Sequence, residues 1–271
     1  MEKNAGLSAP EAYLLTSLPR YDIRKALKLG FMGLLAQGVL RSTDETRTGL
    51  LRTRHIIHLR VAPDLPETLP PLTASLVKVV RAAEPRDGVM SEIIKQAMRE
   101  YGNNLFGFPS NYVGPALAAR GLAERRRVKF LGLIPSYRYE RTPAGDAEKI
   151  RLENAIQEAK TIPRYLDSDP AQVAAMVAAV GGAIFLVDEL QPHYQGISKA
   201  MRDQGGGGGG DTYFASDGGG SDSGGFGAGS FDAGSFDFGN IDFGSFDFGS
   251  FDAGFDGGGG DGGGDGGSSG C

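Results

Sequence analysis

Residues 110–141 read SNYVGPALAARGLAERRRVKFLGLIPSYRYER, and the fold follows from how that stretch divides. Its first eleven residues predict a helix over 110–120 that ends on the C-capping glycine Gly121. Two charged, β-prone runs follow at about 122–130 and 134–141, close enough to pair as a hairpin. Upstream, apolar spacing predicts helices over about 72–83 and 89–101. Three helices followed by a hairpin is the winged-helix order, and it fits 72–141.

The same grammar occurs earlier. Leu34-Leu-Ala-Gln-Gly38-Val-Leu-Arg41 parallels Leu117-Ala-Ala-Arg-Gly121-Leu-Ala-Glu124: a helix end, a glycine, then a strand. Ser8-Ala-Pro-Glu11 is a capping box for a first helix that Pro19 ends. Asp22 caps a second helix running to Gln37. Strands are expected at Val39–Arg41 and Leu50–Val61, around a polar turn at Ser42–Gly49, and the four prolines between Pro63 and Pro71 mark a loop. Downstream, Asp146–Lys160 reads as a charged amphipathic helix. Asp169-Pro170 opens an apolar helix to Val187, and a short helix ends near Arg202. The expected fold is mainly α with two small β-hairpins. It is a tandem winged-helix-like helical domain over 1–204, followed by a disordered tail over 205–271.

Composition changes abruptly at that boundary. Of 271 residues 43 are Gly, and 28 of these lie from Gly205 onward, with ten of the 15 Phe. Up to position 204 there are 28 Lys and Arg against 22 Asp and Glu; beyond it there are eleven Asp and no base. The formal charge of −5 therefore joins a basic domain to an acidic polymer. Such asymmetry implies an anionic partner, or a tail that masks the basic surface. Five pentapeptides of the form [S/N]-[F/I]-D-[A/F]-G run in register from Ser230 to Gly254. Too little aliphatic content is present to offset ordering entropy, and Phe spaced by Gly and Ser suits weak self-association.

Residue chemistry argues against an enzyme and predicts no catalytic residue, no metal and no cofactor. The single cysteine, Cys271, ends the sequence, so neither a disulfide framework nor a cysteine metal site forms within one chain. The offset between His55 and His58 puts them on opposite faces of a strand; His55 is expected in the core and His58 outside it. The Gly205–Gly210 run lacks the Lys-Ser/Thr of a phosphate loop. The tail's period of five is not the nine of calcium-binding glycine repeats. The opening residues hold no apolar run of the kind that opens a signal peptide. The uncharged stretch Ala171–Val187 is expected as a buried core helix at the lower edge of spanning length. The expected location is cytoplasmic, peripheral where a basic surface meets a membrane.

That basic surface is sought on the hairpins. Arg52, Arg54, His58 and Arg60 share one parity of a strand whose other parity is apolar. Arg125, Arg127 and Lys129 share a face of the second hairpin, with Arg126 beside them and Arg138 on the returning strand. Clustered guanidinium groups clamp phosphate bidentately, and Tyr137 and Tyr139 flank a headgroup or a base. The bland alternative is that these charges only solvate two outer faces. A nucleic-acid reading would make Ser110–Arg120 the recognition helix, where only Asn111 and Arg120 suit base contacts.

Two family resemblances rest on these residues. Pro10-Glu-Ala-Tyr-Leu-Leu15, Arg24 through Leu40, the apolar Val173–Val187 and the glycine-rich tail together resemble an uncharacterised bacterial family with a glycine-rich, often cysteine-rich, C-terminal tail. That resemblance implies ancestry and no activity. Ala26–Leu40, Leu117–Gly121 and Val128–Tyr139, followed by an amphipathic helix, resemble the Golgi phosphoprotein 3 family and its bacterial relatives. That likeness implies a helical core with a protruding hairpin, phosphoinositide binding at a membrane surface and an adaptor role. The family's headgroup tryptophan has no counterpart in a chain without Trp, and its paired arginines fall at Ser110 and Val113. Its lipid site is therefore carried by no residue here.

The expected function is that of a non-enzymatic binding or adaptor protein. Its basic domain would engage lipid headgroups or a protein partner, and its tail would self-associate weakly. A winged-helix nucleic-acid-binding regulator is the alternative.

Overall fold

The first helix, α1 (Ala9–Ser17), begins where the backbone amide of Ser8 donates to Glu11 Oε2 at 2.8 Å, half of the predicted capping box. The computed structural model describes residues 6–48, 53–130 and 134–205. α2 (Ile23–Ala36) starts on Asp22, whose carboxylate accepts from the amides of Arg24 at 2.8 Å and Lys25 at 3.3 Å. Its buried side, including Leu27, Phe31, Leu34 and Leu35, lies against α1.

The described residues are mainly helical, with two two-stranded antiparallel sheets. Strands β1 (Leu40–Thr48) and β2 (Thr53–Val61) form the first hairpin; β3 (Ala123–Phe130) and β4 (Ile134–Arg141) form the second. Between the hairpins lie α3 (Pro71–Ala83), α4 (Met90–Tyr101), a π turn at Pro109–Val113 and α5 (Gly114–Ala119). After them come α6 (Pro143–Ala159), α7 (Pro170–Val180), 3-10 turns at Gly181–Leu186 and Asp188–His193, and α8 (Tyr194–Gly205). The core surrounds α1, which packs on α2, α5, α6 and the 181–186 turn. Leu15, Leu27, Leu76, Ile93, Phe108, Leu117 and Ile184 are fully buried within it.

The sequence repeat is a structural repeat. Gly38 and Gly121 both leave their helices with positive φ, +68° and +70°, the region in which glycine carries no Cβ penalty. Their amides close on Leu35 O at 3.0 Å and Ala118 O at 2.9 Å. Each hairpin then shuts in the same way: Ala62 donates to Val39 O at 3.0 Å, and Thr142 donates to Leu122 O at 3.2 Å.

Three expectations need correction. The expected polar turn Ser42–Gly49 is strand through Thr48; Ser42-Thr-Asp-Glu-Thr-Arg-Thr48 is wholly polar, so no apolar pattern marks it. The apolar helix does not reach Val187, because Gly181-Gly182 ends it at Val180, glycine being a poor helix residue. His58 is buried at 9% exposure rather than pointing outward. The outer edge of β2 is covered by the 87–89 segment, where Leu59 N donates to Gly88 O at 2.9 Å and His58 bridges Val89. Among the described residues no single helix is long and apolar enough to cross a membrane. Val173, Met176, Val177 and Val180 of α7 are core residues. The tail expectation, with its repeats and Cys271, falls outside the described residues.

Candidate functional site

Strand register sorts the basic residues of the second hairpin. Arg125 stands opposite Tyr139, Arg127 opposite Tyr137, Arg126 opposite Arg138 and Glu124 opposite Glu140. Directly opposed residues share a face, and successive residues alternate. Arg125, Arg127, Tyr137 and Tyr139 therefore occupy one face, while Glu124, Arg126, Arg138 and Glu140 occupy the other. The expected single cluster divides in two.

The second of these faces is internally neutralised. Arg126 donates to Glu124 Oε1 at 2.6 Å and lies 3.2 Å from Glu140 Oε2; Arg138 Nε donates to Glu140 Oε1 at 2.6 Å. The hydrogen bond that Arg126 donates to Glu124 and the charges of Glu124 and Glu140 push the Arg126 guanidinium further up. Two like charges directly opposed would repel; the two carboxylates offset them.

The tyrosine face has no such balance. The Arg125 guanidinium lies 4.1 Å from the centroid of the Tyr137 ring, a cation–π contact. Tyr137 is 48% exposed. Arg127 is exposed and makes no ion pair or hydrogen bond among the described residues. Tyr139 is the anchor of this face. Its hydroxyl donates to Ser110 O at 3.3 Å, and its ring lies where a Cβ on Gly114 would come within 2.3 Å. Burial raises the Tyr139 phenol, and burial with Tyr139 nearby raises Tyr21, so both stay neutral at physiological pH.

The hairpin is held at its base. Arg141 Nη1 donates to Leu15 O at 3.1 Å and Leu18 O at 2.5 Å, while its Nε donates to Asp146 Oδ1 at 2.7 Å. One side chain thus ties β4 to the carbonyl end of α1 and the start of α6. Thr142 Oγ1 adds a bond to Gly121 O at 2.6 Å.

The first hairpin is organised differently. Arg41 faces Arg60 and Arg47 faces Arg54 in register. Arg41 and Arg60 are both exposed, with no carboxylate partner among the described residues. Between these pairs His58 interrupts the expected basic row. Its Nδ1 lies 2.8 Å from Asp87 O and its Nε2 3.2 Å from Glu45 Oε2. Arg52 lies outside the described residues, and Arg54 and Lys129 are placed only as strand positions. Arg41 was not among the expected site residues, because pairing it with Arg60 requires the register across residues read as a turn. No group of three His, Cys, Asp or Glu side chains among the described residues is arranged to hold a metal ion.

No family model matches the chain, and no curated protein matches it either.

Proposed function

We propose that the chain is a non-enzymatic binding protein of the adaptor type, cytoplasmic and peripheral at membranes, whose second hairpin engages anionic lipid headgroups. The observation that carries the reading is the asymmetry of that hairpin. One face supplies a carboxylate for each arginine; the other sets Arg125 and Arg127 around an exposed Tyr137, with none among the described residues. Guanidinium groups take phosphate bidentately, and an exposed tyrosine suits the boundary between headgroup and acyl chain. Each basic residue near an anionic leaflet contributes about 1 kcal/mol.

The nucleic-acid alternative has less support. Val113, Gly114 and Leu117 of the expected recognition helix are buried, and α5 packs on α1. Arg120 is held by Glu11 at 3.5 Å and Gly6 O at 3.4 Å. Only Asn111 remains to read a base edge, which is too little for groove recognition.

The test is sedimentation of the full chain with phosphatidylcholine vesicles, with and without phosphatidylserine or a phosphoinositide. Binding should require the anionic lipid. It should fall steeply between about 0.1 M and about 1 M salt, where the screening length drops from about 10 Å to about 3 Å. Equal sedimentation with neutral vesicles, or tighter binding to duplex DNA than to vesicles, would overturn the reading.

A further inference from the structure

We propose that the Arg125–Tyr137–Arg127 face is also the docking site of the chain's own C-terminal repeats, which compete there with anionic lipid. The inference rests on the lipid reading only for its consequence; the docking itself stands on complementarity and tethering.

Complementarity comes from what each part of the chain lacks. On the neutralised face every arginine has its carboxylate within the hairpin. On the tyrosine face the described residues offer a carboxylate to neither Arg127 nor Arg125, and Arg125 lies against the Tyr137 ring. The segment from Gly205 to Cys271 has the opposite composition, eleven Asp and no base. Each of its five pentapeptides places an aromatic or aliphatic side chain immediately before a carboxylate: Phe231-Asp232, Phe236-Asp237, Ile241-Asp242, Phe246-Asp247 and Phe251-Asp252. A carboxylate with a neighbouring apolar group is the ligand that an arginine beside an exposed tyrosine accepts, the acid on the guanidinium and the apolar group on the ring. Among the described residues Arg41 and Arg60 make no cation–π contact, so they distinguish this fit from simple attraction.

Tethering makes a weak contact count. The 24 residues between Gly205 and Ser230 are half glycine. A linker of that composition has a root-mean-square span of about 25–30 Å and a fully extended reach of about 80 Å, enough to cross a domain of this size. A short tether presents its ligand at roughly millimolar effective concentration. Five equivalent repeats then give substantial occupancy even when each binds only weakly. The docked repeats are those of the same molecule.

The experiment uses full-length chains and two charge-matched variants. One carries D232N, D237N, D242N, D247N and D252N within the pentapeptides. The other carries D211N, D217N, D222N, D261N and D265N outside them. The Nε–Hε NMR signals of Arg125 and Arg127 should shift in the first variant and stay near the parent positions in the second, with Arg60 unmoved in both. Binding to phosphatidylserine-containing vesicles should tighten roughly two- to tenfold in the first variant only, the range expected for displacing a tethered competitor. Changing the pentapeptide Phe residues to Ser should act in the same direction. Equal effects of the two Asp sets would mean net charge alone, and would overturn the proposal. Shifts that grow with protein concentration would place the repeats on a second copy and overturn the same-chain assignment. Absent NMR shifts would refute the docking even if vesicle binding still required Arg125 and Arg127. Clear NMR shifts without vesicle binding would refute the lipid reading and leave the docking standing.

Discussion

A chain carrying Arg125→Glu and Arg127→Glu should sediment with anionic vesicles no better than with neutral ones. Removing two basic residues from contact with an anionic leaflet costs about 2 kcal/mol, a loss of about thirtyfold. Reversing them adds repulsion of similar size. The substitutions should spare the fold. Both side chains are exposed, and neither forms a salt bridge among the described residues that the change would orphan. What Arg125→Glu does remove is a contact with Tyr137, worth about 0.5–1 kcal/mol at an exposed site. Circular dichroism and thermal unfolding should therefore resemble the parent. A chain that keeps most of its vesicle binding would show that these two residues only solvate the hairpin, the bland alternative open from the sequence.

Gly145→Ala should be the most destabilising small substitution in the base of that hairpin. A Cβ there would lie 1.9 Å from Leu122 O and 3.4 Å from the Arg141 side chain. The obstacle is a backbone carbonyl that already accepts from Thr142 N, so it cannot swing aside as a side-chain end would. Alanine's better helix propensity favours the change by up to about 1 kcal/mol; forcing α6 away from the hairpin opposes it by about 3 kcal/mol. The steric cost wins. For a domain of this size the net should lower Tm by roughly 4–8 °C. Gly33→Ala is the matched comparison. A Cβ there meets only Ala9 Cβ at 3.9 Å, an ordinary contact, so helix propensity should dominate and raise stability by about 0.5–1 kcal/mol. Unfolding both variants in urea gives the two signs; a Gly145→Ala chain as stable as the parent would mean that α6 is not seated on Leu122.

The local signals in this sequence were legible, and the failures were non-local. Asp22 and the two C-capping glycines act within one helical turn, so their residue types suffice. The parity that separates Arg126 from Arg125 and Arg127 is also readable from alternation alone. The partner of Arg126 is not. Setting Arg138 opposite it requires the register across 131–133; the runs expected at about 122–130 and 134–141 place the reversal there, but a slip of one residue would exchange the two faces. The charge balance of the two faces was hidden for the same reason, since Glu140 counts against Arg126 only once the register is known. His58 fails differently. Alternation puts it outward with Arg60, but the 87–89 segment, thirty residues on, closes over it. Along β1, Thr43–Thr48 holds no apolar residue, so no alternation marks it as strand and it reads as loop.

The most direct test compares two full-length double variants with the same change in charge. Arg125→Gln with Arg127→Gln removes two positive charges from the tyrosine face; Arg126→Gln with Arg138→Gln removes two from the face that Glu124 and Glu140 already balance. Affinity for phosphatidylserine-containing vesicles should fall about thirtyfold in the first, from two contacts of about 1 kcal/mol each. The second should lose several-fold less, because Glu124 and Glu140 already balance Arg126 and Arg138 and its loss comes only from the two carboxylates freed on the opposite face. Equal losses in the two chains, or a larger loss in the second, would contradict the assignment of anion binding to Arg125, Arg127 and Tyr137.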